Sequence, residues 1–159
     1  MARSKYPLAS LEELRKRKVD EGATALADAR AERERAETTR EALETAKRAV
    51  VDEAARVVEA EMAKLNANGM TAEGLRARYL FEEGARVKAS LIDADIEHAK
   101  EHVAEARALE ATRQTDLLAR QADRRVVELD AERFRANVSA KVDAAEQEEA
   151  EEAWRPRNG

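Results

Sequence analysis

Asn66-Ala67-Asn68-Gly69-Met70-Thr71 decides the fold of this chain. Asn-x-Asn-Gly supplies residues that tolerate positive φ and can end a helix. Thr71, with Glu73 and Gly74 behind it, is the expected N-cap of a second helix. No proline interrupts the chain from Leu8 to Arg155, and no other stretch in that span stops a helix so plainly. The reading is an all-α protein: a long antiparallel two-helix coiled-coil hairpin, folded at Gly69.

Composition agrees. Ala, Glu, Lys, Leu and Arg make up 102 of the 159 residues, above the roughly half that already signals a long helix or coiled coil. With 3% aromatic and 40% charged residues, a thick globular core is out of reach. Alanine accounts for 35 of the apolar residues. A buried alanine methyl contributes only about 0.8 kcal/mol, against roughly 1.5–3 for a buried leucine or phenylalanine. An isolated hairpin of this kind is expected to be marginal and to gain order from a partner. There is no cysteine, which excludes a disulfide framework, Cys-ligated zinc and a thiol nucleophile and fits a reducing cytoplasm. Met1-Ala2-Arg3-Ser4 leads into no apolar run, so no signal peptide is expected. Apolar runs are only a few residues long, so no membrane insertion is expected either. A net charge of −5 with interspersed signs argues against a nucleic-acid partner.

Residues 1–9 read as a basic N-terminal arm ending in Tyr6-Pro7-Leu8, with Pro7 biasing Tyr6 toward an extended backbone. Ser10 is the expected N-cap of helix one, and Glu12 and Glu13 suit its first turn. The hairpin is expected over 10–153, with helix one at 10–66, about 85 Å at 1.5 Å per residue, and helix two at 71–153, about 125 Å. The tip lies at 67–71, and 154–159 form a disordered tail. Gly22, Ala29, Ala36, Leu43, Val50 and Val57 recur every seventh residue as a coiled-coil line. The companion line, Leu26, Arg33, Arg40, Lys47, Ala54 and Glu61, is half charged, and its long stems are expected to snorkel outward. Leu11 and Leu14 fall out of this register, which predicts a stutter around Lys18–Gly22. Gly74 and Gly84 leave room for a kink near 84 or a short separate helix over 72–83. Helix two then carries the seam Ala85, Ala89, Ile92, Ile96, Ala99, Val103, Ala106, Leu117, Val127, Ala131, Phe134, Val138 and Ala145, interrupted by Glu110, Arg113, Arg120 and Arg124. Six acid–base pairs four apart (Glu12–Lys16, Glu13–Arg17, Glu44–Arg48, Asp52–Arg56, Glu82–Arg86, Asp116–Arg120) are expected to support the exposed faces. Residues beyond about Val127 are expected to overrun the start of helix one, in a segment rich in glutamate and ending at Trp154, itself read as part of a frayed tail.

Catalytic signals are weak. His98-Ala99-Lys100-Glu101-His102 matches H-x-x-E-H, which on a helix puts two histidines on one face beside a glutamate base. A zinc hydrolase also needs a third ligand and a shaped cavity, and this register puts both histidines at solvent-facing or flanking positions. No phosphate-cradling glycine loop occurs, and no serine or threonine stands near a histidine base. No catalytic residue, cofactor or metal site is assigned. The basic run Arg15-Lys16-Arg17-Lys18 is either a patch for an acidic partner or a solvated helix face. Tyr79 and Phe81, with Leu75 and Leu80, either close the tip or anchor a partner.

Lys5-Tyr6-Pro7-Leu8-x-x-Leu11-x-x-Leu14-Arg15-x-x-Lys18-Val19-Asp20-Glu21, followed by an Ala-rich helix, resembles the start of the FliJ/YscO family of stalk proteins in flagellar export and type III secretion. The resemblance covers nearly the full chain: a first helix, a glycine-containing tip and a longer charged second helix. It implies a non-catalytic central stalk, similar to the gamma subunit of rotary ATPases, whose open end sits in the pore of a hexameric export ATPase. Other surfaces would meet an export-gate protein and secretion chaperones, at the cytoplasmic base of a membrane-embedded apparatus. Carried over, Leu8, Leu11, Leu14 and Arg15 become candidate ATPase contacts, and Phe134, Val138 and Val142 join them by hairpin geometry. Leu75, Tyr79 and Leu80 are the candidate export-gate contacts near the tip. A monomer is expected, in an injectisome rather than a flagellum. The alternative is another structural coiled coil: a flagellar export counterpart, a peripheral stalk or a chaperone-like adaptor. The acidic C-terminal run departs from the basic helix common in the family at that place.

Overall fold

A computed structural model describes residues 4–156. The first three residues of the arm and the tail residues 157–159 lie outside the described residues. Two helices, α1 (Ala9–Asn68) and α2 (Ala72–Trp154), pack antiparallel as a helical hairpin. The turn between them is Gly69-Met70-Thr71. Gly69 takes φ +88°, the left-handed conformation in which a glycine ends a helix without a Cβ penalty. Thr71 then caps α2: its Oγ1 accepts the Gly74 N–H at 3.1 Å and its carbonyl accepts the Leu75 N–H. α1 runs to Asn68 rather than Asn66, so the turn is shorter than the sequence implied.

The helices fall into two compact units. The terminal unit joins residues up to Ala27 with those from Thr112 onward, and the turn unit comprises Asp28–Ala111. In the turn unit, Ala36, Val103 and Ala106 form one buried cluster, and Ala29, Ile96 and Ala99 are buried on the same seam. Leu43, Val50, Val57, Ala85, Ala89 and Ile92 extend it, half-buried. In the terminal unit Val19 and Leu26 are buried, and between them an added Cβ on Gly22 would stand 3.1 Å from the Arg120 Cδ and 3.3 Å from a Leu117 methyl. Among the described residues no large side chain is fully buried. The core is a thin strip along the heptad lines, mostly alanines and valines with Leu26 and Ile96 among them, joined by Tyr6.

Four expectations change. The register has no stutter: Arg15 and Val19 stand seven residues before Gly22 and Leu26 and continue both lines, Val19 being buried. Leu14 is exposed because it lies off the seam. α1 begins at Ala9, so Ser10 is inside its first turn; the Glu12 N–H already reaches the Leu8 carbonyl at 3.0 Å. No separate helix forms over 72–83, because Gly84 lies inside one unbroken α2. None of the six pairs four apart closes as an ion pair among the described residues. Lys16, Arg56 and Arg86 take acids three residues away, while Glu12 and Arg120 reach the other helix instead. Exposed pairs are worth so little that alternatives separated by a rotamer compete freely.

Gly69→Ala places a Cβ in the left-handed region, and nothing stands within 4 Å to compensate. The expected loss is about 1–2 kcal/mol of stability, read from urea unfolding followed by helical circular dichroism.

Candidate functional site

In the terminal unit the backbone turns back before α1 begins. Pro7 occupies the second position of a turn closed by the Ala9 N–H on the Tyr6 carbonyl at 3.2 Å, where its fixed φ is favoured. That turn lays the Tyr6 ring against α2. Tyr6 is 9% exposed, packs with Val127 and Ala131, and meets the Phe134 ring at 5.4 Å between centroids, tilted by 53°. Leu11 completes the cluster. The Tyr6 hydroxyl donates to Asp130 Oδ2 at 2.5 Å. That bond to a carboxylate, helped by burial and by the negative charge of Asp130, pushes the phenol up to about 12 from its ordinary 10.0. Arg15 pairs with Asp123 at 3.2 Å, and Arg135 reaches Glu12 at 3.3 Å.

The candidate ATPase contacts divide here. Leu8, Leu14 and Val142 are exposed. Leu11 and Phe134 are engaged in the Tyr6 cluster, Val138 is half-buried and Arg15 is held in its ion pair. The N-terminal segment is thus not a free arm from Ser4 onward. Paired contacts reach Phe134 and Arg135 rather than stopping near Val127, since Tyr6 and Glu12 supply partners for them. From Ser139 onward every described residue of α2 is exposed, including Ala145 and the glutamate run, and Trp154 is its last residue at 87% exposure. Sequence reasoning missed Tyr6 as an anchor. An aromatic one residue before a helix-opening proline is the signal it left unused.

In the turn unit the middle of the seam is ionic. Arg33 bridges Glu110 and Glu37, and Arg107 closes on Glu37 at 2.9 Å. Glu110 raises the Arg33 guanidinium above its usual range, and Arg107 lowers the Glu37 carboxyl. Lys47 reaches Asp93 at 2.6 Å. Two of the long stems on the companion line, Arg33 and Lys47, therefore leave the seam by crossing to α2, while Arg40 pairs with Glu44 on its own helix. His102 Nε2 stands 3.1 Å from Glu32 Oε1, and His98 faces Glu101 at 3.7 Å, both histidines at the surface. The Glu32 carboxyl is lowered by Arg35 first and His102 second. Among the described residues no three His, Cys, Asp or Glu side chains converge as a metal site.

Nearer the turn, Leu75, Tyr79, Leu80 and Phe81 are all exposed, Tyr79 and Leu80 by 61% and 60%. A groove of about 730 Å³ opens beside them, its apolar walls Val50, Ala54 and Val57 on α1 and Leu80, Phe81 and Ala85 on α2. Farther along α2, Val87 and Leu91 are exposed as well. They were not singled out in the sequence, although they continue from Leu80 at four-three-four spacing through Gly84. The chemistry available here is apolar docking with charged margins. Among the described residues no helix is long and apolar enough to cross a membrane.

A family model for YscO-like protein matches residues 3–154 of the chain. No curated protein and no solved structure matches it.

The Tyr6 phenol ties its bond to pH with a defined sign. Its folded pKa is raised, so the stabilisation is complete below pH 10.0 and is lost as pH rises toward about 12. The difference between native protein and Tyr6→Phe in tyrosinate absorbance should show this ring ionising near the upper figure. A step near 10 in that difference excludes the buried hydrogen bond.

Proposed function

The chain belongs to the YscO-like family, a family associated with type III secretion, and from that premise we propose that it is a non-catalytic central stalk of a type III protein secretion apparatus. In this reading the end that carries both termini enters the pore of a hexameric export ATPase. The segment around the turn meets an export-gate protein, and secretion chaperones dock along the helices. The stalk works in the cytoplasm, at the base of the membrane-embedded machine. An injectisome is favoured over a flagellum because the matching family is the YscO-like one.

The observation that carries the proposal is the thin seam. A hairpin whose core is a thin strip, mostly of alanine and valine, leaves large apolar side chains outside in each unit. Apolar side chains left exposed together on a helix surface mark interaction sites, and tyrosine is among the residues enriched at interface hot spots. Leu8, Leu14 and Val142 form the ring-facing set, with Leu11, Arg15, Phe134 and Val138 shaping the cluster beneath. Leu75, Tyr79 and Leu80 form the gate-facing set.

Leu8→Asp with Leu14→Asp tests the ring assignment, since both side chains are exposed and their replacement spares the Tyr6 cluster. The expected result is unchanged helicity, with capture by the cognate export ATPase reduced by at least about tenfold, equivalent to roughly 1.4 kcal/mol. Unaltered capture and unaltered stimulation of ATP turnover overturn the assignment.

A further inference from the structure

α2 carries two apolar repeats, and the hairpin uses one. The seam toward α1 runs through Ala85, Ala89, Ile92 and Ile96. Two residues out of phase with that seam stand Leu80, Gly84, Val87 and Leu91, with Ala77 and Ala94 at either end; Leu80 and Gly84 also border the groove beside Val50 and Ala54 of α1. Leu80, Val87 and Leu91 are exposed by 60%, 52% and 64%. The four-three-four spacing is that of a coiled-coil seam, yet no part of the described chain covers it.

Gly84 says how closely a neighbour approaches. A glycine inside an exposed helix costs about 1 kcal/mol relative to alanine, and a Cβ added here would meet nothing within 4 Å. Packing inside the chain therefore does not require it. A glycine in the middle of an apolar stripe lets a second backbone or a larger side chain come close.

We infer that this stripe is a self-association surface, on which a second copy of the chain packs antiparallel about a two-fold axis between Gly84 and Val87. In that register Val87 of each copy fills the space over Gly84 of the other, Leu80 meets Leu91, and Ala77 meets Ala94. Large residues face small ones in successive layers. The flanking charges fit the same register. Arg76 lies opposite Glu97 twice over, Lys88 lies beside the exposed Phe81 ring, and no like charges are opposed. Among the described residues neither Arg76 nor Lys88 has an ion-pair partner within the chain, while Glu97 holds only the exposed Lys100. An isologous contact of two and a half heptads belongs to the small, weak class of interfaces, so association is reversible and concentration-dependent. The inference does not rest on the stalk reading. It adds that Leu80 is covered in the paired form and open in the single chain.

Sedimentation equilibrium of the full purified chain, with no secretion component present, tests it. The mass is expected to rise toward twice that of the monomer with concentration. Val87→Glu and Leu91→Glu are expected to abolish that rise while leaving helicity unchanged. Gly84→Ala is expected to raise the melting temperature of the single hairpin yet weaken association about tenfold. The native chain has no cysteine, so pairing geometry can be read directly by mixing Ala77→Cys with Ala94→Cys. Antiparallel pairing gives a cross-link in the mixture and none in either variant alone, where like positions stand about 25 Å apart at 1.5 Å per residue. A chain that remains monomeric to about 1 mM overturns the inference. So does a dimer unaffected by Val87→Glu, and so do cross-links within each variant alone, which mean parallel pairing.

Discussion

Everything in this fold depends on how little its seam can hold. Ala29, Ala36, Ala99, Ala106 and Ala131 lie on the seam and are nearly or completely buried. Each brings only a methyl group out of water. Small side chains let the backbones approach, but they leave no second layer above the contact line. Only a few larger side chains, Val19, Leu26, Ile96, Val103 and Val127, share the seam with them, and the remaining large apolar groups lie beside it or outside it. The ionic crossings at Arg33–Glu110 and Lys47–Asp93 occupy positions where a broader core would hold leucine. Their charges remain partly solvated, so they fix register more than they add stability.

The two units meet this constraint differently. The terminal unit recruits an aromatic from outside the helices: the Tyr6-Pro7 turn brings a ring onto Val127, Ala131 and Phe134 and anchors its hydroxyl on Asp130. This is the one place among the described residues where two aromatic rings meet. The turn unit has no such supplement. Its aromatics, Tyr79 and Phe81, stay exposed beside an open groove. The terminal unit thus takes Tyr6 and Phe134 into its core, while the turn unit leaves its own aromatics in water; both units keep leucine and valine side chains exposed. Exposed apolar surface of this kind is the physical mark of a contact still to be made.

How much of this was legible follows from periodicity. The lines through Gly22 and Leu26 repeat every seventh residue, and both helices carry them in the structure, because burial along a helix pair has no other period available. The Gly69 stop and the Thr71 cap were legible for the same local reason: few residues accept positive φ or supply a capping oxygen. Tyr6 was not, because a single aromatic before a proline has no period, and its partner lies 124 residues away. The ion pairs were misread because long side chains choose among near-equal acids, and spacing along one helix does not count acids on the other. Of the candidate contact residues, Phe134 already stood on the seam line of α2, whereas Leu11, out of that register, joined the cluster only because the arm folds back.

The second stripe on α2 marks where periodicity stops deciding. Leu80, Gly84, Val87 and Leu91 repeat as regularly as Ala85, Ala89, Ile92 and Ile96, and the stripe holds two leucines against none. On apolar bulk alone it is at least as good a seam. The hairpin chooses the other because that line continues without a break through Ala99, Val103 and Ala106, whereas the outer one meets His98, Glu101 and Glu105. Length of continuous apolar contact, more than local hydrophobicity, selects the face that turns inward. The shorter stripe is then left outside with its glycine uncovered, a contact surface too brief to organise the fold and too regular to be ordinary solvent-facing helix.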